Sequence, residues 1–319
     1  GHQVVFLERP QVAEKLRAGG LKLNLAGTEH RIGDPEVATS LEEALAVHRY
    51  DAALFALKSF DTPVFLESLA VPKDSLPPFL CLSNGVANEP AMAAALGEDR
   101  VIAGTVTSAI GVRGIGDIAL EKLRGVGVAA GHPLSERLHL AMDGAGLNCR
   151  RFQRAADMKW SKMLTNLISN ATSAILDMPA SEVFAHAGLY RLEIEQLRET
   201  LQVMAAQGIE AVDLPGTPVR LLAFAVKRLP LAVSRPLLAR KVAGGRGGKM
   251  PSFHIDLHSG RGKSEVDYLN GAVVRAGREH GIPTPVNDLL NRTLLGLTRG
   301  EIPLDHFRGK PVKLIEELK

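Results

Sequence analysis

Short apolar runs of strand length alternate with amphipathic stretches up to about residue 130, and past about residue 153 the strand runs disappear. No other feature of the 319-residue chain narrows its fold as far. The runs are Gln3–Leu7, Ala52–Leu57, Pro78–Leu82 and Val101–Thr105. Between them the spacing predicts helices over Gln11–Ala18 and Thr62–Leu69, and a third after Asn88-Glu89-Pro90. Proline in the first turn and Gly97 at the end frame that alanine-rich third helix. Buried strands separated by helices imply a parallel α/β sheet. The glycine-rich segment Gly111–Gly131 reads as short antiparallel pieces.

Past residue 153 helical periodicity dominates. It predicts helices over Asp157–Leu176, Leu189–Gln207, Pro218–Leu229, Ser264–His280 and Pro285–Arg299, with Gly300 as a stop and a short tail over Glu301–Lys319. One conspicuous loop is expected at Gly244–Lys249, GGRGGK. The expected fold is therefore α/β over residues 1–152, followed by an all-helical domain over residues 153–319. A cleft between two such domains suits a cofactor on one side and a substrate on the other.

Composition excludes several classes of partner. A net charge of +3, with no basic tract carrying interleaved aromatics, argues against nucleic acid. No apolar stretch reaches membrane-spanning length. Cys81 and Cys149 make neither a disulfide framework nor a metal-ligand spacing, and they fit a reducing cytoplasmic setting. His254 and His258 stand at i,i+4, but no third ligand stands beside them, so no metal is expected.

The first residues pose a question of their own. Val4-Val5-Phe6-Leu7, closed by Glu8-Arg9-Pro10, has the form of the second strand of a dinucleotide-binding unit. In such a unit the first strand and its glycine-rich turn lie about 20 residues upstream of the closing polar residue. The formal match Gly114-Ile115-Gly116-Asp117-Ile118-Ala119 does not replace that turn. It lacks a buried strand before it, and the helical pattern after it breaks within two turns. GGRGGK lacks a preceding strand and a following Ser or Thr, so it too is refused as a phosphate loop.

The stretch DMKWSKMLTNLISNATSAIL, residues 157–176, carries the chemistry. At about 100° per residue, one face gathers Met163, Leu164, Leu167, Ile168, Ala171, Ala174 and Ile175. Lys162, Asn166 and Asn170 form a polar row at i, i+4, i+8, ending near Ser173. Asparagine is a poor helix former, so propensity does not explain the row. It suits a cleft that needs fixed donors and acceptors, or else a plain polar face whose asparagines bond nearby backbone. A lysine on such a face can give up a proton and stabilise a forming oxyanion, the two needs of carbonyl reduction. Helical geometry alone does not choose between Lys159 and Lys162. A second polar cluster lies over residues 251–271, with Ser252, Asp256, Glu265, Asp267 and Asn270. There Glu265 reads either as a site residue or as a first-turn acid complementing the helix dipole.

KWSKMLTNLISNATSAI, then PSFHIDL, then KSEVDYLNGAVV resembles the ketopantoate reductase (2-dehydropantoate 2-reductase) family in order and spacing. LKSFDTP, LSNGVANEPAMAAALG and VIAGTVTSAIG are similar to its cofactor domain, so the resemblance covers essentially the whole chain. It implies a Rossmann-type dinucleotide-binding domain and reduction of ketopantoate to pantoate by hydride transfer to C2, in pantothenate and coenzyme A synthesis. It implies Lys162 as general acid, Asn166, Asn170 and Ser252 as substrate-binding residues, and Glu265 as partner of the substrate hydroxyl. Asn84 would sit near the nicotinamide and the carbonyl. An extra residue in HSGRGKS leaves the aim of Glu265 open.

Arg9, with Lys58 adding charge, would face the 2′-phosphate of NADPH, the expected hydride donor. Glu8 keeps NADH as the alternative, since NAD-binding proteins place an acid there. Family members open with a strand, a G-x-G-x-x-G turn and a helix. By that yardstick this chain starts at the close of the first helix and lacks the pyrophosphate-binding glycines, which puts the activity of this chain in question. The expected partner is a small 2-keto acid, and a homodimer is the working expectation for assembly. Two other readings stand beside this one: a reductase of another bulky 2-oxo acid, and an inactive remnant serving as an interaction module.

Overall fold

The computed structural model describes residues 1–246 and 249–318. Its first half is built from short strands and helices in alternation. β1 (Val5–Leu7) ends at Glu8, and α1 (Pro10–Gly19) starts on a proline whose fixed φ suits a first helical turn. β2 (Leu21–Leu25) and β3 (Thr28–Ile32) form an antiparallel hairpin, and β4 (Glu36–Ala38) returns to pair in parallel with β1. Ala13 and Leu16 of α1 bury against Val37 of β4.

α2 (Leu41–Val47) follows, its first turn capped by Ser40 Oγ accepting from the Glu43 N–H at 3.1 Å. Then come β5 (Ala53–Phe55), α3 (Thr62–Glu67), β6 (Phe79–Cys81), α4 (Asn88–Leu96), β7 (Val101–Val106), β8 (Ala109–Gly114), β9 (Asp117–Lys122), β10 (Val126–Ala129), α5 (Ser135–Gly144) and β11 (Cys149–Phe152). The main sheet runs β11-β10-β7-β6-β5. Its pairs are parallel except β10 on β7. A second sheet has the order β3-β2-β9-β8, and β1 with β4 forms a third. Among the described residues, neither β1 nor β5 carries a strand on its other edge.

The expected α/β alternation is present, and the glycine-rich segment is antiparallel as read: β8 pairs β9, and β10 runs against β7. The refused glycine match is the β8–β9 turn. Gly116 there has φ +73°, and a Cβ would stand 2.6 Å from the Gly20 carbonyl oxygen. The β2–β3 hairpin, β4, α2, α5 and β11 were not anticipated.

After β11 the chain is helical: α6 (Ala155–Leu167), α7 (Asn170–Leu176), α8 (Ala180–Ala185), α9 (Ala187–Ala206), α10 (Val219–Arg228), α11 (Leu231–Arg246), α12 (Ser252–His258), α13 (Val266–Glu279), α14 (Pro285–Arg299) and α15 (Pro311–Glu316). The expected glycine loop is partly helical, since α11 runs to Arg246; residues 247 and 248 lie outside the described residues. Gly300 ends α14 in the left-handed conformation, as its place in the sequence predicts.

The single helix expected over Asp157–Leu176 is two. Ile168 leaves helical geometry, and Ser169 takes φ +54°, ψ +14°. The cause lies on α9, where the buried Glu193 accepts from the Ser169 N–H at 2.7 Å and from Thr172 Oγ1 at 2.5 Å. The central α9 packs against α6, α8, α10, α13, α14 and α15. One apolar core joins these helices to Ala103, Ala129 and Phe152 of the sheet, with Met158, Trp160 and Met163 of α6 at the junction. Among the described residues no helix is long and apolar enough to cross a membrane.

Candidate active site

The loops leaving the carboxyl ends of β5 and β6 meet the helical half of the molecule, which is where open α/β sheets place ligands. After β5 come Lys58 and Ser59; after β6 come Ser83, Asn84 and Gly85. Gly85 has φ +84°, and a Cβ on it would meet the Tyr268 carbonyl oxygen at 2.9 Å, so the β6 loop and α13 are in close approach. Asn88 Nδ2 and Ser59 Oγ both donate to the Asn84 carbonyl, at 2.6 and 2.8 Å. This fixes the backbone of Asn84 and leaves its amide to face α6.

From α6 come Lys159, Lys162 and Asn166. The two lysines left equivalent by the helical wheel are separated by their surroundings. Lys159 is 5% exposed, lies 2.6 Å from Glu89 Oε1, and donates to the Ser83 and Gly104 carbonyls at 2.7 and 3.2 Å. Burying an ammonium costs several kcal/mol unless it is paired and hydrogen-bonded, as here. Lys159 therefore ties α6 to the sheet. Lys162 is half-buried, one helical turn before Asn166. Asn166 Nδ2 donates to Asn84 Oδ1 at 3.0 Å.

The break after α6 alters the expected polar row without dispersing it. With α7 starting at Asn170, the Asn166 carbonyl has lost its helical partner, and Asn170 Nδ2 donates to it at 3.0 Å. The same amide group reaches α12: Nδ2 donates to Ser252 Oγ at 3.2 Å, and Oδ1 accepts from the Phe253 N–H at 3.0 Å. Ser252 and Phe253 open α12, so Asn170 satisfies first-turn groups of another helix.

Glu265 precedes α13 but makes no cap bond to that helix. Its carboxylate is 1% exposed and crosses to the β5 loop. Oε2 accepts from Lys58 Nζ at 2.8 Å and Oε1 from the Ser59 N–H at 3.2 Å; Ser59 Oγ, whose single hydrogen is shared between this oxygen and the Asn84 carbonyl, stands 3.0 Å away. Lys58 also stands 3.1 Å from Asp256 of α12. Burial pushes the Asp256 carboxyl above the usual range despite Lys58 beside it. For Lys58 burial works to lower the pKa, but the two carboxylates outweigh it and hold the ammonium above its ordinary value.

A hydrogen-bonded line thus runs Ser252–Asn170–Asn166–Asn84–Ser59–Glu265–Lys58 through both halves of the chain. Asn84, Asn166, Asn170, Ser252, Lys58 and Glu265 are all on it, and Lys162 lies a turn away. Glu8 and Arg9 are elsewhere, at the end of β1. Glu8 donates its N–H to the Ala38 carbonyl at 3.0 Å. Arg9 is exposed and, with Lys15 of α1 and Ile115 of the β8–β9 turn, lines an open cleft of about 530 Å³.

Ser59 and Lys15 were missed from sequence. Ser59 could have been found by its place just beyond a parallel strand's carboxyl end. Lys15 carries no local signal.

Comparison with known proteins gives one consistent result. The profile described as "Ketopantoate reductase PanE/ApbA" matches residues 1–130, and that described as "Ketopantoate reductase PanE/ApbA C terminal" matches residues 154–297. A 2-dehydropantoate 2-reductase of Archaeoglobus fulgidus is 28% identical, covering 94% of this chain and 90% of its own. One from Halobacterium salinarum is 26% identical, covering 94% and 88%. Among solved structures, a PanE/ApbA family ketopantoate reductase from Ralstonia eutropha superposes with a TM-score of 0.77 at 25% identity, over 94% of this chain and 92% of that one. A D-mandelate dehydrogenase, solved with NADH and anilino(oxo)acetate, shares the fold with a TM-score of 0.73 at 20% identity, over 94% and 92%. With both halves matched in order and the fold shared along nearly the whole length, this chain belongs to the ketopantoate reductase family.

Proposed function

We propose that the chain reduces a 2-oxo acid, ketopantoate foremost, using a nicotinamide dinucleotide held by residues 1–152 and a substrate site completed by residues 153–319. The observation that carries this reading is the hydrogen-bonded line from Ser252 to Lys58, which sets amides, two hydroxyls and one ion pair along the junction of the two halves. The Arg9- and Lys15-lined cleft supports a dinucleotide with an anionic group at that end, and NADPH is the preferred form. Glu8 beside Arg9 keeps NADH as the alternative. The dinucleotide, when bound, supplies the hydride.

The chain's own residues do the rest. Lys162 holds a proton at Nζ and delivers it to the C2 oxygen as that oxygen gains charge. Asn166 and Ser252 offer donors to the oxo acid; Asn170, whose two amide hydrogens go to the Asn166 carbonyl and Ser252 Oγ, holds both in place, and Asn84 orients Asn166 from the opposite side. Glu265, with Lys58 and the Ser59 N–H donating to its carboxylate and the Ser59 hydroxyl shared with Asn84, retains at least one of its about four acceptor positions, enough for one substrate hydroxyl.

The test is nucleotide oxidation dependent on ketopantoate, run beside a panel of other bulky 2-oxo acids and with both nucleotides. Lys162→Ala is expected to lower turnover about 100- to 10,000-fold with the fold intact. Wild-type rates in that variant would end the assignment of Lys162. No reaction with any acid of the panel, in a folded chain, would end the reductase reading.

A further inference from the structure

Away from the line of residues just described, the fold assembles three metal-ligating side chains among the described residues: Asp177, His254 and His258. Their coordinating atoms all lie within 4.8 Å of one another. The histidines are one turn apart on α12, so both imidazoles stand on one helix face, and their ring centroids are 4.3 Å apart. The sequence offers this pair without a third ligand; folding supplies one from 77 positions earlier. Asp177 closes α7 in the left-handed conformation (φ +52°, ψ +44°), which turns its carboxylate toward α12. Oδ1 lies 2.8 Å from His254 Nε2. Oδ2 accepts from Arg308 Nε and Nη2 at 2.8 and 2.5 Å.

We propose that Asp177, His254 and His258 form a three-ligand site for a borderline divalent transition-metal ion of the zinc class. Two imidazole nitrogens and one carboxylate oxygen are the donor set that zinc takes with a fourth position left to solvent. Magnesium and calcium, which want six or more oxygens, are not served by it.

The geometry needs little change. Tetrahedral zinc sets its ligand atoms about 3.4 Å apart, given bonds of about 2.1 Å. His254 and Asp177 are already closer than that, and the exposed ring of His258 is free of packing that would stop it swinging inward. Arg308 occupies Oδ2, which leaves Oδ1 to bind in a monodentate way and fixes the carboxylate's orientation. The ion would clip the end of α7 to α12 along its length, from His254, two residues beyond Ser252, to His258 at its close.

The competing account is a hydrogen-bonded triad, Asp177 with His254 and Arg308, in which His258 has no part. Calorimetric titration of the metal-free chain with zinc chloride, and separately with magnesium chloride, decides between them. One zinc ion per chain is expected, with no magnesium binding. His258→Ala, at an exposed position and expected to leave the circular dichroism spectrum unchanged, is expected to weaken zinc at least tenfold. The double variant His254→Ala/His258→Ala is expected to lose it. Absence of zinc binding in the wild type would overturn the proposal. So would an affinity that His258→Ala or the double variant leaves unchanged, which would place the zinc on other groups.

Discussion

Lys58 connects two carboxylates of the helical half to the β5 loop, and its protonation has a sign that can be worked out. Glu265 and Asp256 raise its pKa against the pull of burial, so the folded state holds this proton more tightly than the unfolded chain does. The stabilisation is fully present below the ordinary lysine value of 10.5 and is lost as pH rises through the raised one. Lys58→Met should therefore melt well below the wild type at pH 8, and the gap should narrow in buffers above pH ~10.5. A gap that stays constant with pH would mean the side chain acts by packing alone.

The two cysteines make a second case at this scale. Burial, with Glu89 adding to it, pushes the Cys81 thiol up to about 12; burial, with Asp143, takes Cys149 to about 11. Since the thiolate is the reacting form, neither should be labelled by an aromatic disulfide within minutes at pH 8 in the native chain. Both should react once guanidinium unfolds it, and one fast native equivalent would contradict the burial. Residue roles of this kind are hard to read from sequence. Lys159 and Lys162 are neighbours on a helical wheel, and what separates them is Glu89 and the Gly104 carbonyl, 70 and 55 positions away.

At the scale of elements, the break between α6 and α7 shapes the side of the junction proposed to take the substrate. It frees the Asn166 carbonyl that Asn170 takes up, and so aims Asn170 at the start of α12. Glu193 holds the break by accepting from the Ser169 N–H and Thr172 Oγ1 while fully buried. Removing it leaves those donors without an acceptor in a dry core. Glu193→Ala should cost about 3 kcal/mol in a denaturant titration. It should also raise KM for the oxo acid more than it lowers kcat, because Asn170 loses its placement. Glu193→Gln, which keeps an acceptor for Ser169, should restore much of the KM. Equal KM values in both variants would detach the break from the site.

The asparagine row was legible as a pattern, but its break was not, because the group that enforces it lies on another helix. Strands β5, β6 and β7 were legible for the opposite reason: each is an apolar run in its own residues, buried along β6 and most of β7 and at Phe55 of β5. The β2–β3 hairpin is half-exposed on one strand and exposed on the other, so no apolar run marks it. Its turn at Ala26 and Gly27, with φ of +50° and +91°, was the available signal. α2 also carried one, in Ser40 three residues before Glu43.

Across the whole molecule, the sheet and the helices share one core as well as a polar junction. Trp160, the single tryptophan, is buried in α6 where that helix lies on the sheet. The contact is tight because β10 presents a glycine. A Cβ at Gly127 would stand 2.8 Å from Met158 Sδ and 2.9 Å from both Phe152 Cε2 and Thr105 Cγ2. A core shared in this way makes unfolding of either half expose apolar surface of the other, so the chain should lose both together. Trp160 fluorescence and far-ultraviolet circular dichroism are expected to trace one transition in guanidinium.

Gly127→Ala should move that transition to lower denaturant by about 1–3 kcal/mol, the usual cost of forcing a methyl group into a filled space. If α6 is pushed off the sheet, the fluorescence change should then precede the loss of helix. Two separated transitions already in the wild type would show the halves to be independent, and the fixed line from Ser252 to Lys58 would then be a contact between mobile bodies. Coincident transitions that part only in Gly127→Ala would locate the coupling in the α6–β10 contact, made by the same helix that brings Asn166 to Asn84 at the carboxyl end of β6.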